Sequence, residues 1–112
     1  MDGKVILPYY EENARPSWFG FPITVREGID REKVIRYIEG KGVQTRMLFS
    51  GNLIRHPCFD QIRGTDAYCV VGSLENTDRI VKDTFWVGVY PGMTNTMLEY
   101  MVQTIKEAVK NV

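Results

Sequence analysis

The sequence predicts an α+β domain: a small α/β sandwich with helices covering one face of a short, mainly antiparallel sheet. Three observations predict it. Apolar side chains alternate with period two at Phe19–Val25, Val43–Phe49 and Phe85–Val89, the spacing of strands with one buried face. Two other segments carry apolar stripes at helical spacing, Val34-Ile35-Ile38 and Leu98 through Val112. The resulting order is strand, helix, strand, long loop, short helix, strand, helix. In a chain of 112 residues that order makes one domain, 1–112, with a single core.

Residues 1–16 hold Pro8, Tyr9, Tyr10 and Pro16 without sustained periodicity, and they read as an extended lead-in. Pro22 interrupts the first strand pattern. It has no N–H to donate, so the strand needs an edge or a bulge there. Glu27-Gly28 turns the chain, and Asp30 caps a helix by accepting from its free N–H groups. Gly40 and Gly42 end that helix, and Val43, Thr45, Met47 and Phe49 give the second strand. Residues 50–73 form a long loop punctuated by Gly51, Asn52, Pro57, Gly64 and Gly72, with room for a short strand at Tyr68–Val71. Ser73 or Asn76 caps a short helix running to about Lys82. Phe85, Val87 and Val89 form the third strand, stopped by Pro91-Gly92. Thr94 or Thr96 starts the last helix, and Thr96 with Glu99 fits a capping box.

Fourteen basic and fourteen acidic residues cancel. No global field draws the chain to nucleic acid or to an anionic membrane. No apolar run nears the ~20 residues of a membrane span, and the N-terminus lacks a basic-then-apolar leader pattern. These features lead to a cytoplasmic expectation. Cys58 and Cys69 show no CxxC spacing and read as buried or semi-buried thiols of a reducing compartment rather than a disulfide.

Phosphate-cradling glycine loops, GxSxG and HExxH are all missing from the sequence. One histidine and two separated cysteines are too few for a zinc site. No lysine lies in an apolar run that would lower its pKa for Schiff-base chemistry. The domain by itself therefore does not read as a complete active site.

Arg46, Asn52, Arg55 and His56 fall within eleven residues, beside Phe49 and Phe59. An arginine fork suits paired phosphate or carboxylate oxygens, and an asparagine amide suits sugar hydroxyls. An ordinary solvated loop explains the same residues. His56 precedes Pro57 and has no partner at metal-ligand spacing, though it can donate a hydrogen bond to a ligand. Arg79 falls in the first turn of the short helix, where the helix dipole disfavours a cation. Either a local ion pair with Glu75 or Asp78, or a bound anion, would compensate it. Trp18 and Phe19 are consecutive, so one strand face cannot bury both. At least one ring must point to solvent, a ligand or a partner, and Trp86 poses the same question on the third strand.

The blocks Ser17–Val25, Thr45–Leu53, His56-Pro57, Gly72–Arg79 and Thr84–Gly92 stand in order along the chain. Together they resemble the C-terminal domain of nucleotide-hexose 3-dehydrases, in particular those acting on CDP-4-keto-6-deoxyglucose. These enzymes belong to the DegT/DnrJ/EryC1/StrS family of the fold-type I pyridoxal-phosphate superfamily. The resemblance covers nearly all of residues 5–110.

It implies that the chain is the C-terminal small domain of a longer enzyme whose large, cofactor-binding domain is not in this sequence. That enzyme would remove the C3 hydroxyl of a CDP-4-keto-6-deoxyhexose, on the way to 3,6-dideoxyhexoses of lipopolysaccharide O-antigens. Pyridoxamine or pyridoxal phosphate and an iron–sulfur cluster would both sit on the large domain. His56, Cys58 and Cys69 are therefore distinct from the histidine and cysteines that serve those groups. An iron–sulfur flavoprotein reductase would supply electrons, and the full enzyme would be a homodimer. No catalytic group is carried over to this chain. By the resemblance, Arg79 of Asn76-Thr77-Asp78-Arg79 contacts the substrate, Phe21 flanks the reacting sugar, and Arg46, Asn52, Arg55 and His56 line the nucleotide-sugar side. Two alternatives stand beside this reading: the C-terminal domain of a nucleotide-sugar aminotransferase, and a freestanding nucleotide-sugar-binding or protein-interaction module without catalysis.

Overall fold

A computed structural model describes residues 3–112. Met1 and Asp2, the start of the expected lead-in, lie outside the described residues. The chain forms β1 (Val5–Ile6), β2 (Gly20–Val25), α1 (Arg31–Gly40), β3 (Thr45–Met47), α2 (Glu75–Asp83), β4 (Thr84–Gly88) and α3 (Asn95–Lys110). The four strands make one sheet in the order β1-β2-β4-β3, and every pairing is antiparallel.

Alternation decides which side chains meet the helices. Ile23 and Val25 of β2 share a face with Phe85 and Val87 of β4 and are buried. They pack against Val34, Ile35 and Ile38 of α1 and against Met101, Ile105, Ala108 and Val109 of α3. Burying each of the larger side chains contributes roughly 1.5–3 kcal/mol. Leu98 and Val102 stay partly exposed, so the buried stripe of α3 is narrower than the sequence pattern suggests. Tyr37 donates to Glu107 Oε2 at 3.0 Å and ties the two long helices together.

Several sequence expectations need correction. The lead-in contains a strand, since Val5 and Ile6 pair with Val25 and Thr24. Two residues are too few to show a period. Lys4 Nζ anchors the same segment by donating to the Val109 and Val112 carbonyls at the end of α3, where a cation also suits the helix dipole.

Pro22 needs no bulge. Phe19 O accepts from Val89 N, so the odd residues of β2 bond to β4 and the even ones face β1. Pro22 lies beyond the end of two-residue β1, where no ladder bond is required.

The second strand stops at Met47, two residues early. Phe49 takes φ 45° and Gly51 φ 63°, and the chain turns as Phe49 N bonds Met47 O and Gly51 N bonds Leu48 O. The expected strand at Tyr68–Val71 does not form. The loop instead holds two 3₁₀ helices, Leu53–Arg55 and Pro57–Ile62, and Cys58 and Cys69 are both exposed on it, not buried.

Helix α2 begins at Glu75 after Leu74, and neither Ser73 nor Asn76 caps it. Glu75 and Asp78 favour its start through the dipole. Arg79 therefore falls in the second turn, not the first. Thr94, not Thr96, caps α3 by accepting from Met97 N at 3.2 Å. Asp30 caps α1 as expected, accepting from Lys33 N at 3.2 Å.

Candidate functional site

The outer face of the sheet, away from α1 and α3, carries a cluster of rings. Trp86 alternates out of the core between Phe85 and Val87, and its Nε1 donates to Met47 O at 3.0 Å. Phe19 packs on it with ring centroids 5.3 Å apart, and Phe49 with centroids 6.1 Å apart. Phe19 is 73% exposed and Phe49 77% exposed, so the cluster shows most of two rings to its surroundings. Trp18 is half-buried and meets Phe21 edge-on at 6.0 Å. Phe21 shares the helix-side face of β2 with Ile23 and packs at the margin of the core.

Beside the ring cluster opens a cleft of about 760 Å³, bounded by Phe19, Arg46, Trp86, Tyr90, Met97 and Tyr100 among others. Arg46 pairs with Trp86 across β3 and β4 and supplies the cleft's only cation among its lining residues. No lysine lines it. Among the described residues, no group of three or more His, Cys, Asp or Glu could hold a metal ion.

The polar cluster expected at positions 46–56 is divided by the fold. Arg46 joins the aromatic face, while Asn52 and Arg55 turn to a residue that local spacing could not reveal, Asp78 on α2. Asn52 Nδ2 donates to Asp78 Oδ1 at 2.8 Å, and Arg55 Nε donates to the same oxygen at 2.7 Å. A guanidinium N–H of Arg55 donates to Oδ2 as well, giving the bidentate geometry of a strong arginine–carboxylate pair. Arg55, and after it Asn52, hold the Asp78 carboxyl below the usual carboxylate range. Asn52 is only 7% exposed. His56 bonds through Nε2 to the Ser50 carbonyl and closes the same turn.

Arg79, the next residue on α2, is exposed and lies apart from this clamp. It lines a polar depression of about 410 Å³ with Arg26, Glu27, Lys82 and Asp83. Asp78 is taken by Arg55, and among the described residues Arg79 makes no ion pair. The structure thus brings Asn52, Arg55 and His56 together, sets Arg46 among the rings, and places Phe21 and Arg79 separately. Tyr90, Met97 and Tyr100 were not singled out in the sequence, and Asp78 was weighed only as a partner for Arg79. Asp78 and Tyr90 had a signal, their places inside the Asn76–Arg79 and Thr84–Gly92 blocks.

An all-antiparallel four-stranded sheet backed by helices is an architecture that this chain shares with solved structures. The profile of the DegT/DnrJ/EryC1/StrS aminotransferase family matches residues 1–106, and the chain belongs to that family. It is 47% identical over 103 residues to the lipopolysaccharide biosynthesis protein RfbH of Salmonella typhimurium, covering 90% of this chain and 23% of that protein. It is 42% identical over 107 residues to a dTDP-4-dehydro-2,6-dideoxy-D-glucose 3-dehydratase of Saccharopolyspora spinosa, covering 94% of this chain and 22% of that one. The chain therefore spans about a quarter of the length of the curated relatives it matches. Among solved structures, a GDP-4-keto-6-deoxymannose-3-dehydratase with bound GDP-perosamine superposes with a TM-score of 0.72 at 22% identity, covering 88% of this chain and 25% of the other. The Escherichia coli GDP-4-keto-6-deoxy-D-mannose-3-dehydratase with bound hydrated PLP gives 0.70 at 22% identity, covering 96% of this chain and 26% of the other. These likenesses establish the fold.

Proposed function

We propose that this chain is the C-terminal wall of the substrate cleft in a nucleotide-sugar 3-dehydrase acting on a CDP-4-keto-6-deoxyhexose in lipopolysaccharide biosynthesis. The observation that carries this reading is the outward ring cluster of Phe19, Phe49 and Trp86, left open in a domain whose own core is complete without it. Rings of this size are buried where they can be, and an exposed cluster marks a surface that meets ligand or protein. The identity to a dTDP-sugar 3-dehydratase supports a nucleotide-sugar substrate, and the identity to RfbH supports a place in lipopolysaccharide biosynthesis.

Pyridoxamine or pyridoxal phosphate supplies the electron sink for such a reaction, but the residues present here do not make its pocket. The cleft offers one cation and no amine, too little for the phosphate and the aldehyde together. The cofactor and an iron–sulfur cluster are assigned to the remainder of the enzyme. An iron–sulfur flavoprotein reductase as electron donor, a homodimeric state and a cytoplasmic location belong to the same proposal. No described helix is long and apolar enough to cross a membrane.

What this chain contributes is binding and exclusion of water. Arg79, exposed and without an ion pair among the described residues, presents its cation to substrate. Arg46 and the outer rings shape the cleft, Phe21 flanks the sugar, and Arg55 and His56 border it. Asn52 works from beneath, through the turn it holds.

The test is turnover of a CDP-4-keto-6-deoxyhexose by the longer polypeptide that carries this chain, supplied with pyridoxamine phosphate and a reductase. Loss of the C3 oxygen supports the proposal. Amination at C4 without C3 deoxygenation replaces it with the aminotransferase reading.

A further inference from the structure

Three independent contacts converge on the short turn between β3 and the first 3₁₀ helix. Asp78 receives Asn52 and both edges of the Arg55 fork. Gly51, at φ 63°, lies so close to α2 that a Cβ there would stand 2.8 Å from Val81 Cγ2. His56 Nε2 bonds to Ser50 O across the turn. At the near end of this turn Phe49 holds a left-handed φ of 45° and lies against Trp86. A phenylalanine does not keep that backbone conformation without outside support. The support here is the fixing of residues 50–55 onto α2.

We propose that Asp78 is a positioning residue for the substrate wall. By gripping Asn52 and Arg55 it locks the 49–56 turn onto α2, which holds Phe49 on Trp86 and sets the relation of the ring cluster to the helix that carries Arg79. This inference rests on the reading of function given above. Asp78 touches no substrate itself and acts through the turn. Most of the 50–73 loop is exposed, and among the described residues the clamp is its charged tie to the rest of the domain. The other ion pair of the loop among the described residues, Arg63 with Asp60, is local to it.

The experiment uses the longer enzyme with Asp78→Asn, Arg55→Ala and Arg55→Lys. Asp78→Asn keeps the shape and removes the charge that Arg55 reads. A loosened wall raises the KM for the nucleotide sugar about tenfold with kcat changed less, because a binding surface is lost rather than a transition-state contact. Arg55→Ala reproduces the effect. Arg55→Lys, which keeps the charge without the fork, falls between. Trypsin cleavage after Arg63 accelerates in the same order. A fall in kcat with unchanged KM indicates a merely structural role and overturns the inference, as does unchanged loop proteolysis in Asp78→Asn. Should Asp78→Asn fail to fold, Asn52→Ala with Arg55→Ala carries the same readouts. The two readings fail in different ways. An unsubstituted enzyme without sugar turnover refutes the proposed function, whereas normal turnover with an unchanged KM in Asp78→Asn refutes the positioning role alone.

Discussion

Trp86 lies across Gly20 of the neighbouring strand so closely that a Cβ added at Gly20 would stand 2.3 Å from Trp86 Cε3. The glycine is thus required by the approach of the indole and not by a turn. Gly20→Ala must push the ring aside, straining its bond to Met47 O and its stacking with Phe19 and Phe49. Overpacking of this kind costs about 1–3 kcal/mol. Denaturant unfolding of the Gly20→Ala chain reads that loss, and a changed near-ultraviolet tryptophan dichroism locates it. An unchanged aromatic spectrum would contradict the arrangement.

Thr94 and Thr96 offer a sharper test, because the sequence favours one and the structure the other. Thr94 accepts from Met97 N, while Thr96 lies within α3. Thr94→Ala lowers stability by about 1 kcal/mol, the usual worth of an N-cap. Thr96→Ala stays within about 0.5 kcal/mol, as exposed substitutions do. Thermal melts of the two single variants decide between them.

The same pair shows where the sequence is legible. Asp30 and the stripe Val34-Ile35-Ile38 are readable because cap and period lie within one helix, and both appear in α1. Phe85 and Val87 are readable for the same reason, since a period of two is local. The strand at Val5–Ile6 is invisible because its partner lies twenty residues away and two residues carry no period. The early end of β3 depends on Phe49 adopting a left-handed φ, which no residue type announces. The grouping of Arg46 with Asn52 and Arg55 fails on geometry. A strand residue points by alternation, here to Trp86, whereas the turn beyond it points to α2. Asp78 was weighed only as a partner for Arg79, because adjacency is visible in a sequence and a contact 23 residues away is not.

The clamp carries its own pH signature. Arg55 and then Asn52 hold the Asp78 carboxyl below its ordinary range, while in the unfolded chain it titrates near about 3.9. A group whose folded pKa is the lower one stabilises the fold above the unfolded pKa. That contribution is lost as pH falls through the folded value. The stability difference between the unsubstituted chain and Asp78→Asn is therefore constant from pH 7 to pH 5 and shrinks below about pH 4. Glu107, also held low by Gln103 and Tyr37, is common to both chains and cancels in the comparison. Urea unfolding across that range is the measurement, and a difference independent of pH would show that the ion pair contributes nothing.

Arg79 separates stability from activity. It is exposed and makes no ion pair among the described residues, so the fold does not depend on its charge. Arg79→Ala and Arg79→Lys leave the melting of the chain nearly unmoved, within about 0.5 kcal/mol. In the longer enzyme the proposed role gives a different outcome. Removing a cation aimed at charge on the substrate costs roughly a hundredfold in turnover. Lysine restores part of it by keeping the charge without the planar fork. Arg26 and Lys82, which share its depression, are the controls. If the site reads only local positive charge, Lys82→Ala falls as far as Arg79→Ala. If Arg79 makes a directed contact, Lys82→Ala costs only a fewfold. Steady-state kinetics of the three variants beside their melting curves distinguishes the cases, and an Arg79→Ala enzyme with full activity removes this residue from the substrate wall.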